Sequence, residues 1–437
     1  MANTPFSGHV TTALPIVRTL IERGHELRWY TGERFRARVE ASGATWVPMV
    51  HAPLLDEEAY DRLYPERSKL SPVANLRLAL EHVFGDSMPG QLEDLEELHR
   101  TWVPDLVLAD PTFFGVKLFH ERHGIPYATC GLTILTHSSR DTAPVGLCIL
   151  PSSSPLGRLR NRLLNLAVEK VIFAGVRRYL DAVRARAGFG PQEGFSVFAE
   201  SPYLYLQPTV PSFEYPRSDL DPAVRFIGPL VDPPTPEWTP PAWWPDFAKA
   251  PPVVHVTQGT VTTEAAQLIA PAIQALAREE LLVVVTTGGK PVESVPLPAL
   301  PANVRIEPFI PHHRFLPFVD VMITNGGYGG VQAALVHGVP LVVAGASEEK
   351  PEVAMHVEWS GVGLNLRTAT PRPEQILQAV KTILADRRFT ARARQLQAEC
   401  ERYDATRQAA ELIEELIATG RPQQPSPSPG DRKEGHD

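Results

Sequence analysis

The chain has 437 residues, 43% hydrophobic and 21% charged, a length that exceeds one ordinary core and points to two domains of roughly 200 residues each. Its net charge of −8 gives no general reason to bind nucleic acid or an anionic membrane surface. The scattered cysteines Cys130, Cys148 and Cys400 lack metal-ligand spacing, no run approaches the roughly 20 apolar residues that cross a bilayer, and no basic-then-apolar leader opens the chain, so a cytoplasmic protein without membrane insertion is expected.

Only residues 1–7 precede the dipeptide Gly8-His9, which is placed in a loop before a helical pattern over 12–23. Short apolar, β-branched runs follow at 26–30, 106–109, 127–130 and 203–206, with a helical pattern at 113–121. Asp110 directly follows the run 106–109. A histidine can take the proton of an attacking hydroxyl, and the imidazolium then needs a carboxylate behind it. Strand ends in one parallel sheet share a rim, which lets His9 and Asp110 meet.

Residues 228–252 are crowded with prolines, which remove ladder donors and stiffen the chain, so they are read as a linker anchored by Trp238, Trp243 and Trp244. Strand-like runs resume at 253–257, 281–286, 304–307, 321–324 and 341–344, with helical patterns at 263–279 and 331–337. Strand–helix alternation in both halves predicts two doubly wound α/β domains with ligands in the cleft between them. After the run 321–324 come Asn325, Gly326, Gly327, Tyr328, Gly329 and Gly330, with a helix expected to begin near Gly330. Glycines admit close backbone approach, and a helix start offers unpaired N–H groups, a combination suited to a diphosphate. Gln332 and His337 are read as packing residues on that helix, and His25, His120, His123, His137, His255, His313 and His356 as structural or exposed. An amphipathic helix over 405–418 has Ala409, Leu412, Ile413, Leu416 and Ile417 on one face, and the polar segment 421–437 is expected to be disordered.

The segment 309–351, with Phe309-Ile310-Pro311-His312, the glycine turn, His337-Gly338-Val339-Pro340 and Glu348-Glu349-Lys350-Pro351, resembles the donor signature of the UDP-glycosyltransferase family, particularly bacterial natural-product enzymes. The resemblance extends through Ile227-Gly228-Pro229 to nearly the whole chain. It implies the GT-B fold, with an acceptor domain at 1–228, a linker at 229–252, a donor domain at 253–404 and a C-terminal helix at 405–420 packing back on the first domain. It also implies an inverting reaction with a nucleoside diphosphate sugar as co-substrate and no metal or cofactor. Carried over by position, His9 is the base and Asp110 its partner. Phe309 lies at the base-binding position and Gly326, Gly327 and Gly329 at the phosphate turn. Glu349 and Lys350 stand where the family has Asp-Gln for sugar hydroxyls. Thr257, Gly259 and Thr260 fall in a loop that faces phosphate in the family; a plain strand–helix turn is the other reading.

Asn325 replaces the family's histidine, Ala333 its ribose-binding glutamate, and His312 a frequent glutamine, so both UDP and TDP sugars stay open. The acceptor is expected to be small, apolar and hydroxylated, held partly by segments 49–69 and 131–151, in a monomer or weak dimer. A nucleotide-sugar epimerase and a non-catalytic nucleotide-sugar-binding protein are the rival readings. The family's first strand is longer than residues 1–7. The coding sequence is therefore expected to continue upstream of Met1, since a half-length central strand would leave neighbouring ladder groups unpaired.

Overall fold

A computed structural model of the chain describes residues 1–192, 196–231, 238–249, 251–259, 265–296 and 299–421. Thr260, the linker residues 232–237 and the tail 422–437 lie outside them.

In the first half the strands are β1 (Arg28–Tyr30), β2 (Thr45–Val47), β3 (Val107–Ala109), β4 (Tyr127–Cys130), β5 (Leu204–Gln207) and β6 (Val224–Phe226). β1 pairs with β2, and β3 to β6 follow one another, all in parallel. Ala2 bridges both Tyr30 and Ala109, so residues 1–3 thread between β1 and β3. The Ala2 amide donates to the Leu108 carbonyl at 2.9 Å and that of Asn3 to Tyr30 at 3.1 Å, while Tyr30 donates to Met1 at 2.9 Å. This short segment thus meets ladder groups that its length was expected to leave open. The Met1 ammonium donates to the Arg28 carbonyl at 2.8 Å, and burial pushes its pKa down to about 5.

The second half holds β7 (Val253–Thr257), β8 (Leu282–Thr286), β9 (Val304–Glu307), β10 (Val321–Thr324), β11 (Leu341–Val343) and β12 (Gly363–Asn365). They form one parallel sheet in the order β12-β11-β10-β7-β8-β9. β7, β8 and β10 are buried throughout, as expected of parallel strands covered on both faces. Each sheet reverses its strand order at one place, between residues 1–3 and β3 in the first half and between β7 and β10 in the second. The carboxyl ends of the strands splay apart there and leave a crevice.

The two halves share a core in which Ile134, Val210 and Phe213 pack with Phe315, Val331 and Val353. Trp238, Trp243 and Trp244 rest against the same cluster. Gln332, expected only to pack, also accepts the Thr209 hydroxyl at 3.0 Å across the interface. The helix Ala405–Thr419 starts on an Asp404 cap and stops at Gly420, whose φ of 59° suits only a residue without Cβ strain. Its Ala409, Ala410, Ile413 and Leu416 pack on Ile16, Leu20, Leu204 and Leu206 of the first half. Ile417, assigned to that face, is 37% exposed.

Candidate active site

The first helix spans Ser7–Glu22 rather than starting at Thr12, so His9 lies in its opening turn and not in a preceding loop. The extended backbone at Phe6 lets the helix begin as soon as the chain leaves the sheet. Asp110, just past β3, is fully buried. His9 Nδ1 is 3.3 Å from Asp110 Oδ2, so the two residues are brought together at the crevice of the first sheet.

Asp110 is heavily engaged. Its Oδ2 accepts from the Thr4 amide at 2.8 Å and Asn3 Nδ2 at 3.3 Å, and its Oδ1 accepts from the Thr112 amide at 2.7 Å and hydroxyl at 2.6 Å. Burial alone would raise the carboxyl's pKa, but the His9 charge and these donors outweigh it and hold the group below its ordinary value. Since the Thr112 hydroxyl hydrogen goes to Asp110, its oxygen can accept from His9 Nδ1 at 3.3 Å. Nδ1 therefore faces two acceptors and carries the hydrogen, which leaves the lone pair on Nε2. Asn3, Thr4 and Thr112 escaped the sequence reading. Only Thr112, two residues beyond Asp110 in an Asx-type spacing, left a legible signal.

In the second half the helix begins at Tyr328 with Gly327 as its cap, earlier than expected, so Gly329 and Gly330 lie in its first turn. No side chain caps this end, which leaves its amides facing the crevice between β7 and β10. Gly326 has φ of 85°, and a Cβ there would come within 2.8 Å of Val343 Cγ1. At Gly327 and Gly330 a Cβ would meet neighbours only at 3.6 Å, and at Gly329 none within 4 Å. Asn325 is buried and ties the two loops together. Its Nδ2 donates to the Gln258 carbonyl at 2.6 Å, and its Oδ1 accepts the Gly327 amide at 3.2 Å. Gly259, at φ 75°, passes this side chain, and its amide donates to the Thr257 hydroxyl at 3.4 Å. Gly345, unmarked in the sequence reading, allows β11 to end against the turn, since a Cβ there would lie 2.0 Å from the Asn325 carbonyl oxygen.

Gln258, Asn325, Gly345, Ser347 and Lys350 border a small open recess at this crevice. Lys350 is buried, and its Nζ is neutralised by the Glu348 carboxylate, with Ser347 Oγ at 3.4 Å. The Lys350 cation is therefore paired within its own turn. Glu349 caps the helix Lys350–Ser360 by its backbone. Burial above all, with help from Glu348, raises its carboxyl pKa against the opposing charges of Lys350 and His9. His9 of the first half is thus among the charges that act on Glu349 of the second.

Two residues stand apart from this group. Phe309 is 59% exposed beyond the edge strand β9 and stacks on no ring among the described residues. His312 opens a short helix with its ring 6.3 Å from that of His255. Its side chain is exposed, yet the atoms packed around it, and then His313, lower its pKa. Among the described residues no group of three His, Cys, Asp or Glu side chains is placed to hold a metal ion, and no helix is long and apolar enough to cross a membrane.

Residues 272–419 match the erythromycin biosynthesis protein CIII-like C-terminal domain family. The chain is 46% identical over 419 residues to a 4'-demethylrebeccamycin synthase of Lentzea aerocolonigenes, covering 95% of this chain and 99% of that protein. It is 33% identical over 437 residues to UDP-glycosyltransferase 2 of Phaeomoniella chlamydospora, covering 96% and 95% respectively. Among solved structures, the glycotransferase of kitacinnamycin superposes with a TM-score of 0.72 at 24% identity over 95% of this chain and 97% of that one. Glycosyltransferase VinC, solved in complex with dTDP, superposes with a TM-score of 0.65 at 20% identity, covering 95% and 98%. Two α/β domains with parallel sheets facing across a crevice are the GT-B fold that these structures share.

Proposed function

Because the chain belongs to the UDP-glycosyltransferase family and is a glycosyltransferase of natural-product type, we propose that it moves a sugar, with inversion, from a nucleoside diphosphate sugar to a hydroxyl of a small apolar acceptor. The observation that carries this reading is the His9–Asp110 contact at 3.3 Å beside an uncapped helix start across the crevice.

In the proposed step the acceptor hydroxyl lies against His9 Nε2. As its oxygen bonds to the anomeric carbon, the proton passes to Nε2, and the imidazolium is stabilised by Asp110 through Nδ1–H. The bond from the anomeric carbon to the diphosphate oxygen breaks, and the electron pair leaves with the nucleoside diphosphate. Amides at Gly329 and Gly330, with the helix dipole behind them, meet the charge developing on that oxygen. No metal or other cofactor takes part in this scheme. Glu349 accepts from sugar hydroxyls, while Lys350 stays with Glu348 and keeps the turn rigid. A relative is a UDP-glycosyltransferase and a structural neighbour holds dTDP, so both nucleotides remain within the proposal. The epimerase and non-catalytic alternatives lose support because the relatives are transferases.

The test is incubation with a panel of UDP- and dTDP-linked sugars and phenolic acceptors, with and without a chelator, followed by NMR of the product. The proposal expects an acceptor glycoside of opposite anomeric configuration, formed equally well with chelator. Retained configuration, a chelator-abolished reaction or a sugar epimerised without acceptor would each contradict it.

A further inference from the structure

The helix Pro155–Ala167 is built inside out. Its buried residues are Gly157 and Asn161, and Asn161 Nδ2 donates to the Arg140 carbonyl at 3.1 Å. Asn165 Nδ2 likewise reaches the carbonyls of Ser139 at 3.3 Å and Thr142 at 3.4 Å. A polar seam therefore holds the helix to the protein, while Leu156, Leu159, Leu163 and Leu166 are between 50% and 80% exposed. At roughly 100° per residue these leucines fall within an arc of about 80°. Singly exposed leucines are ordinary, but a continuous stripe of them marks a surface that something covers.

The charge around the stripe says what covers it. Residues 155–178 carry six lysines and arginines against the single acid Glu169, in a chain whose net charge is −8. On the helix, Arg160 and Arg162 flank the leucines, each about 80° from the middle of the stripe. Neither pairs with a carboxylate among the described residues. A second copy would bring the same cationic face against this one, at a cost in repulsion. An apolar stripe bordered by arginines on both sides instead matches the boundary between acyl chains and anionic headgroups, with the arginine stems lying along the apolar surface and their heads in the polar layer.

We propose that the helix Pro155–Ala167 is a peripheral docking surface for an anionic phospholipid bilayer, lying in its interface without crossing it.

The test is co-sedimentation of the full chain with phosphatidylcholine vesicles and with phosphatidylcholine–phosphatidylglycerol vesicles, at low and high salt. Partition onto the anionic vesicles is expected to exceed that onto neutral ones about tenfold and to fall with salt. L159S/L163S and, separately, R162E are each expected to lower it about tenfold or more. Both variants should keep the wild-type melting profile and lipid-free turnover, because these side chains face solvent. Wild-type protein that ignores anionic vesicles, or an L159S/L163S variant that binds them as well as wild type, would overturn the proposal. So would a lipid-free dimer that L159S/L163S dissociates, because the stripe would then belong to a second copy.

Discussion

Asp110 receives four donors besides the His9 imidazole, so both of its oxygens are engaged. An amide at this position offers one oxygen and turns a nitrogen toward groups that are themselves donors. Asp110→Asn should therefore cost about 2–5 kcal/mol of stability as well as activity, read from a denaturant midpoint. Thermal and denaturant stability equal to wild type would show that the network is loosely held. His255, fully buried on β7, bonds Thr286 Oγ1 at 3.0 Å, and burial chiefly, aided by His312, lowers its pKa to about 3. An unfolded histidine titrates near 6.5, so between these values the unfolded chain binds the extra proton. Stability is then fully present above about pH 6.5 and falls as pH drops toward 3, by several kcal/mol at most. His255→Gln keeps a partner for Thr286 and removes the proton site, so its melting temperature should fall less steeply than that of wild type from pH 7 to pH 4. Parallel curves would refute this role.

At the scale of elements, the outcome at the glycine turn 325–330 depends on which glycine is replaced. Gly326 combines φ of 85° with a 2.8 Å approach of its would-be Cβ to Val343, so Gly326→Ala should destabilise the fold by about 1–3 kcal/mol. Gly327 has an ordinary φ of −58° and room for a Cβ. Gly327→Val should melt close to wild type yet lose most of its affinity for UDP and dTDP by calorimetry. Normal affinity in that variant would remove the phosphate role from the turn. These turns were legible in the sequence as glycines at strand–helix junctions, and so were most strands, because parallel strands buried on both faces read as unbroken apolar runs. The helix Pro155–Ala167 resisted such reading. Its leucine period indicates which face is apolar, but nothing local says that Asn161 and Asn165, and not the leucines, are turned to the protein. Helix starts were misjudged for a related reason, since Phe6 and Gly327 cap the helices at His9 and Tyr328 without a Ser, Thr or Asp side-chain signal.

At the scale of the whole molecule, the halves are held by contacts between residues remote in sequence, which no spacing rule exposes. Glu214 is buried in the interface with Arg217 at 3.4 Å and His356 Nε2 at 3.4 Å. Burial opposes its charge, but His356 and Arg217 outweigh that and hold its pKa down to about 2. Glu352, on the helix that begins beside the donor turn, accepts the amides of Gly146 at 2.8 Å and Cys148 at 2.7 Å, with Cys148 held at φ 53°. One carboxylate thereby connects the donor-side helix to segment 131–151, the stretch assigned to the acceptor. Glu352→Ala is expected to raise the acceptor KM about tenfold or more while nucleotide affinity is kept, since charge-assisted bonds contribute about 1.5–3 kcal/mol each. An unchanged KM would separate the tie from acceptor binding. The broad division into two crevice-forming domains was legible from strand–helix alternation and the proline-rich stretch; the interface that sets their relative position was not.

The central claim, that His9 is the base of a transfer reaction whose donor is held elsewhere, rests on one comparison of rates. Single-turnover transfer should be measured for His9→Ala and wild type at saturating nucleotide sugar. A fall of about a hundred- to ten-thousand-fold is expected in the variant, with the affinity for the nucleotide unchanged. Transfer at the wild-type rate would contradict it.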